Sequence, residues 1–152
     1  MSVGRLHRDP RRDEALSSWL INQSRLHGLP LQAYCAITFP GVELWTRDLD
    51  RWLPSRSAKA LAEGTGLSEE AVHGMTLAGR YPRIIGSATA KHQGDGHLRV
   101  GVYHRSRRRH GQQVCRACIQ SERVHLLRWR FAAFTECELH PNGMMDSCPY
   151  CC

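Results

Sequence analysis

The chain has 152 residues, of which 41% are hydrophobic and 23% are charged. This length suits one ordinary domain or two small ones, and the balance of residues is typical of a soluble globular protein, which excludes a disordered or membrane-spanning chain. No apolar run approaches the roughly 20 residues of a spanning helix. Residues 1–12 lack the apolar stretch of a secretory signal, so we expect a cytoplasmic protein with no membrane partner.

The first strong helical pattern covers residues 13–28. Leu16, Trp19 and Leu26 recur at the spacing of one helical face, and Gly28 suits the position that ends a helix. The sequence therefore predicts an amphipathic helix here.

Two shorter helical segments are predicted next, over residues 29–37 and 44–53. The second contains Trp45 and Trp52 and stops at Pro54, which cannot continue a helix. Together these segments predict a mainly helical N-terminal domain.

Residues 57–75 have the outline of a helix-turn-helix. A helix leads into a turn at Gly66, Ser68 suits the N-cap of a second helix, and two glutamates open that helix. In a DNA-binding unit of this kind, residues near His73 would contact bases. The alternative is a helical pair that never touches DNA, since such patterns occur in many helical domains.

Residues 81–111 lose the helical pattern and are predicted to form an extended linker with short strands at residues 81–85 and 97–103. The linker contains much of the excess positive charge of this chain, whose net charge is +7. Beside a helix-turn-helix and a metal module, a basic cluster is predicted to contact nucleic-acid phosphates, the alternative being a solvated loop. The clustered residues are Arg105, Arg107, Arg108 and Arg109.

The most specific signal is a pair of metal-binding knuckles in residues 112–152. Cys115 and Cys118 are followed, after 18 intervening residues, by Cys137 and His140. Two such knuckles supply the four tetrahedral ligands of a structural zinc site and leave no open position for catalysis. Without a secretory signal, disulfides are not expected. A chance spacing of free thiols is the less favoured alternative.

The stretch between the knuckles, residues 124–134, has a helical pattern. It would place Leu127, Phe131 and Phe134 beside the metal. A third knuckle, Cys148 and Cys151, could replace half of the first site or open a second one. The second reading is favoured, because the first site already has four ligands.

The motifs in this order resemble those of the TniQ family. Residues 14–20, EALSSWL, are similar to the opening motif of that family, with alanine where serine is usual. Residues 61–77 resemble its helix-turn-helix, and the knuckles with the Arg128-Trp129-Arg130 stretch resemble its zinc-finger signature. The resemblance covers nearly the whole chain.

Members of the TniQ family are non-enzymatic adaptors that select transposition targets. The resemblance implies a zinc cofactor, DNA or an RNA-guided CRISPR effector complex as a targeting partner, and a AAA+ ATPase transposition regulator as the second partner. It also implies that Cys148 and Cys151 begin a second finger. Because family members continue with another cysteine pair, the chain is expected to be a short form or a truncated remnant.

The sequence thus predicts three parts: a helical domain with a helix-turn-helix over residues 1–80, an extended linker over 81–111 and a zinc finger over 112–152. The function predicted is that of a target-selection adaptor, with the ATPase contacting the surface around Trp19, Trp45 and Trp52. The alternative is that these tryptophans are core residues, and for Trp19 that alternative is favoured. A rival is a zinc-stabilised helix-turn-helix transcription regulator, which would bind its operator alone. A nucleic-acid enzyme with catalytic zinc is disfavoured, because no open coordination position or general base is evident.

Overall fold

The computed structural model describes residues 7–45, 48–85 and 113–145. Within these ranges the chain is mainly helical, as predicted, and its extended pairing is limited to isolated bridges. The α-helices are α1 Leu16–Leu26, α2 Leu31–Thr38, α3 Ser55–Thr65, α4 Glu69–Gly74, α5 Leu77–Arg80, α6 Pro82–Ile85 and α7 Arg116–Glu122, and a 3₁₀ helix covers Leu127–Arg130. None of these helices is long and apolar enough to cross a membrane.

Helix α1 forms where its apolar spacing predicts it. Leu16, Trp19 and Leu20 are fully buried, whereas Leu26 is 44% exposed at the end of the helix. Gly28 follows with a φ of +65°, the left-handed conformation that ends helices and favours glycine. The buried face of α1 packs on α2, α3 and α4 in the largest hydrophobic cluster of the described residues.

The helix predicted over residues 44–53 is wrong. Residues 48–53 form turns that still bury Leu49 and Leu53. Asp48 accepts a bond from the Arg51 amide at 3.3 Å, a local side-chain turn that competes with helix formation. The apolar spacing therefore marks core positions but not a helix.

The two helices predicted around Gly66 are present as α3 and α4. Gly66 has a φ of +81°, and Ser68 caps α4 by accepting a bond from the Ala71 amide at 3.1 Å. Helix α5 then crosses α4 so closely that a Cβ atom on Gly79 would lie 2.1 Å from the carbonyl oxygen of His73. That the pair binds DNA stays a prediction.

The strand predicted at residues 81–85 is wrong, because Pro82–Ile85 form the short helix α6. The Tyr81 carbonyl accepts bonds from the amides of Ile84 and Ile85, both at 3.0 Å. Ile85 is buried while Ile84 is 53% exposed. The strand predicted at residues 97–103 lies outside the described residues.

The segment after α7 packs against the start of α1. The Ala15 amide donates to the His125 carbonyl at 2.9 Å, and the Leu127 amide donates to the Asp13 carbonyl at 2.8 Å. Glu14 and Leu126 thereby form an antiparallel bridge. The boundaries predicted at residues 80 and 112 stay a prediction, and these bonds show that the parts share an interface.

The helix predicted over residues 124–134 is also wrong. Its place is taken by the 3₁₀ helix Leu127–Arg130. Leu127 and Phe131 pack with Ala15, Leu77 and Ile85, and Phe134 packs against this same cluster while also lining a small cavity with Cys118 and Cys137. These side chains contact the N-terminal helices because residues 125–127 bond to the chain before α1.

Candidate metal centre

The first knuckle is formed by the start of α7. Cys115 is the N-cap of that helix, and Cys118 lies within its first turn, so both thiols point to the same side. Val114 pairs with Met145 through two backbone bonds of 2.7 and 2.9 Å. This pairing holds the first knuckle beside the segment that contains the second.

The second knuckle is a tight turn closed by the bridge between Glu136 and Gly143. The Cys137 amide donates to the Asn142 carbonyl at 3.2 Å, which folds the intervening residues back. The Leu139 amide donates to the Cys137 sulfur at 3.4 Å, and the turn brings His140 next to Cys137.

The four predicted ligands come together, with their donor atoms all within 4.8 Å of one another. Nδ1 of His140 lies 3.5, 3.3 and 3.6 Å from the sulfurs of Cys115, Cys118 and Cys137, and the last two sulfurs are 3.5 Å apart. A tetrahedral zinc site with metal–sulfur bonds of about 2.3 Å requires ligand atoms roughly 3.5–3.8 Å apart. The spacing therefore fits one tetrahedral ion.

The thiols in this cluster affect one another's ionisation. Burial, together with the neighbouring Cys137 and Cys115, raises the pKa of Cys118 to about 12. At Cys137 burial opposes the thiolate, but the Leu139 amide and the other donors of the cluster lower its pKa to about 6. A divalent cation would remove this competition, since it stabilises every thiolate that coordinates it.

The cluster is closed on its protein side. Cys115 and Cys118 are buried and pack with Trp129, which is only 3% exposed. His125 meets the Trp129 ring edge to face at 5.3 Å. Four protein donors with a packed aromatic beside them match a structural site rather than a catalytic one.

Arg130 is a site residue that the sequence reasoning missed. Its guanidinium is fully buried and forms two bonds with Asp48, at 3.0 and 2.5 Å, while Asp50 lies 3.8 Å away. Asp50 in turn accepts the amide and hydroxyl of Ser17, each at 2.7 Å. Burial raises the pKa of Asp50, with Ser17 and Arg130 acting against it. This network joins the segment between the two knuckles to the N-terminal core.

Of the remaining predicted site residues, His73 lies within the described ranges. His73 lies half-buried in the last turn of α4, in an open groove that Arg12 and Arg80 also line. The basic cluster, Arg105, Arg107, Arg108 and Arg109, and the third knuckle, Cys148 and Cys151, lie outside the described residues.

The three tryptophans predicted as a surface differ. Trp19 lies in the core, the favoured alternative for this residue: it is fully buried and donates its ring N–H to the Arg8 carbonyl at 2.8 Å. Trp45 and Trp52 are 40% and 36% exposed.

Comparison with known protein families gives a match over most of the chain. The sequence model of a family described as TniQ matches residues 5–141, which is most of the chain and includes both the helices and the metal cluster. No curated protein and no solved structure matches the chain significantly.

Proposed function

The chain belongs to the TniQ family, whose members serve in transposition target selection, and we propose that it acts there as a non-enzymatic adaptor. The observation that carries this proposal is the family match itself, because it spans the helical part and the metal cluster together. The closed set of donors supports a structural metal and therefore a binding role rather than a reaction.

The metal proposed for the cluster is zinc. Three thiolates and one imidazole form a donor set that suits Zn²⁺, whereas Mg²⁺ and Ca²⁺ prefer oxygen ligands. Zinc bound here by Cys115, Cys118, Cys137 and His140 would hold α7 to the turn after Glu136. Its role would be to fix the segment that carries Arg130.

As an adaptor, the protein would hold two partners at once. One is target DNA or an RNA-guided effector complex, and the other is the AAA+ ATPase that regulates the transposase. The half-exposed rings of Trp45 and Trp52 support an ATPase-binding surface on the segment between α2 and α3, because aromatic side chains often anchor protein interfaces. Nucleic-acid contact is assigned to the basic cluster, residues 105–109, and to His73.

Such a protein needs little DNA specificity of its own. A single small helix-turn-helix or finger buries only about 600–1,000 Å² on DNA. Binding titrations on random and candidate target DNA, with and without the ATPase and nucleotide, test the proposal. We expect weak, sequence-tolerant binding by the protein alone and a stable complex when the ATPase is present.

A double substitution tests whether Trp45 and Trp52 form the ATPase-binding surface. Trp45→Ala combined with Trp52→Ala should weaken ATPase association at least tenfold, since these rings are proposed to anchor it. Ile84→Ala, which removes an exposed apolar side chain from α6, serves as the matched control and should leave association unchanged. Equal effects of the two changes would contradict the assigned surface.

The second candidate function is a stand-alone transcription regulator. The observation that favours it is the pair α3 and α4, joined by the turn at Gly66 and capped by Ser68. A regulator would bind a defined operator with nanomolar affinity and without the ATPase. That result in the same titration would replace the adaptor proposal.

A further inference from the structure

A groove of about 630 Å³ separates α1 from α7, and the proposed function does not use it. Its walls repeat the same pattern. On α1, Ile21 is followed one turn later by Arg25, and Ile119 on α7 is followed one turn later by Arg123. Both isoleucines are half-buried and both arginines are exposed. The groove therefore has an isoleucine on each wall and a positive charge on each rim, and its remaining lining side chains, two serines, a glutamine and a histidine, are polar.

The two rim arginines have no acidic partner within the part of the chain that the structure describes. Among residues 7–45, 48–85 and 113–145, no acidic group pairs with Arg25 or Arg123, and no carboxylate lines the groove. Arg8 and Arg128, by contrast, each pair with a carboxylate. Both rim arginines stand at helix C-terminal ends, where a cation interacts favourably with the helix dipole. Because the helix dipole does not occupy their N–H donors, the exposed guanidinium groups can still pair with the carboxylates of a ligand.

The backbone at Arg123 is held in an unusual conformation. Its φ of +54° lies in the left-handed region, which glycine and asparagine usually occupy at the end of a helix. Asn22 donates to the Arg123 carbonyl at 2.8 Å and so ties the end of α7 to α1. The groove and its second arginine are thus fixed before any ligand arrives.

We propose that this groove binds an acidic segment of a partner protein. Carboxylates of the segment would pair with Arg25 and Arg123, and an apolar side chain between them would rest on Ile21 and Ile119. Guanidinium groups match carboxylates with two parallel bonds, which gives orientation as well as attraction. The two isoleucines favour a peptide over a nucleic-acid backbone, because a phosphate chain presents no apolar group to cover them.

The test uses the full zinc-loaded chain and three fluorescent probes. The first is a short peptide of alternating glutamate and leucine, the second has glutamine for every glutamate, and the third is an oligothymidylate of similar length. Fluorescence anisotropy should show binding of the acidic peptide at least tenfold tighter than of the glutamine peptide. Heteronuclear NMR should place the shifted amides around Arg25 and Arg123.

Variants locate the binding. Arg25→Gln and Arg123→Gly should each weaken acidic-peptide binding roughly tenfold, since each removes one charge-assisted pair. Glycine at position 123 accepts the left-handed backbone, so thermal unfolding should show a fold at least as stable as the parent. Arg56→Gln removes the same charge from an exposed position of α3 and should leave binding unchanged.

Every other outcome overturns the proposal. If the acidic peptide does not bind, or binds no better than the glutamine peptide, the groove has no carboxylate site. If the oligothymidylate binds more tightly and depends on Arg25 and Arg123, the groove is a nucleic-acid site. If Arg56→Gln weakens peptide binding as much as Arg123→Gly, only the overall charge is being measured. None of these readouts depends on transposition.

Discussion

At the scale of single residues, Arg130 shows how a charge can be buried. Its guanidinium has no exposed surface and lies between Asp48 and Asp50, of which Asp50 is only 2% exposed. Replacing Arg130 by an uncharged residue would leave both carboxylates without their paired cation inside the protein. We expect Arg130→Met to lower the free energy of unfolding by about 3 kcal/mol.

Urea denaturation would measure this loss. Arg130→Met combined with Asp48→Asn and Asp50→Asn should recover part of the stability, because the uncompensated charges are then gone. A variant as stable as the parent would show that Arg130 contributes nothing to the fold. Arg56→Met, at an exposed position of α3, is the control for loss of an arginine.

Because His125 is buried, the stability of the fold should depend on pH. Burial, reinforced by the positive charge of Arg130, lowers the pKa of His125 to about 4, although its bond to the Gln113 carbonyl acts the other way. The unfolded chain binds this proton near pH 6.5, so acid favours unfolding. Stability should be lost as the pH falls from about 6.5 toward 4, by about 2 kcal/mol between pH 7 and pH 5.

The comparison is with His125→Phe, which keeps a ring against Trp129. Urea unfolding of both proteins across this pH range should show a smaller loss in the variant. Parallel curves would mean that His125 is protonated equally in the folded and unfolded chains. Other acid effects, including loss of metal, are common to both proteins and cancel in the comparison.

At the scale of elements, the crossing of α4 and α5 depends on a missing side chain. A Cβ atom on Gly79 would lie 2.1 Å from the carbonyl oxygen and 2.6 Å from the carbonyl carbon of His73. Because the obstacle is backbone, it cannot rotate away. Gly79→Ala should destabilise the fold by about 2–3 kcal/mol.

Gly74 provides the matched control in the neighbouring helix. No heavy atom lies within 4 Å of the position of its Cβ, and it ends α4. Gly74→Ala should leave stability unchanged or raise it by about 0.5 kcal/mol. Thermal unfolding of the two variants would decide, and similar melting temperatures would contradict the close crossing.

Elements whose signals are local could be predicted from the sequence. The spacing of Leu16 and Trp19 gave α1, Ser68 gave the start of α4, and the knuckle spacing gave the cluster of Cys115 and its partners. Within each helix and each knuckle, the residues that fix the structure lie within a few positions of each other, and the two knuckles are separated by 18 residues. The donor set therefore required no knowledge of the rest of the fold.

Elements that depend on distant contacts could not be predicted. Residues 48–53 have helical spacing, but Asp48 and Asp50 are engaged with Arg130, which follows Asp48 by 82 positions. Leu127 lies in a segment whose spacing predicts a helix beside the metal, yet its side chain packs with Leu77 and Ile85 of the N-terminal helices. Such burial is decided by tertiary packing, which overrides local pattern.

At the scale of the whole molecule, metal binding and stability are linked. The described donors form one complete ligand set, so the purified protein should carry about one zinc per chain there. Cys137→Ser removes one thiolate and should lower the zinc content and the melting temperature together. Because Leu127 and Phe131 belong to a cluster shared with Ala15, the loss should extend beyond the knuckles.

Metal analysis and circular dichroism would follow both quantities. Cys35→Ala, which removes a buried thiol from α2 far from the ligand set in sequence, should keep the zinc. Full zinc content in Cys137→Ser would contradict the assigned ligand. Absence of zinc from freshly purified, reduced parent protein would contradict the site itself.

The bridge between Glu14 and Leu126 also bears on how the protein is made. Ribosomes release a chain from its N-terminal end, so Asp13 and Ala15 emerge long before the backbone groups of His125 and Leu127 to which they bond. Asp50 likewise emerges before Arg130, so their ion pair can form only after Arg130 has left the ribosome. The first helices can therefore form early during translation, but their interface with the segment between the knuckles closes only after residues 125–127 have left the ribosome.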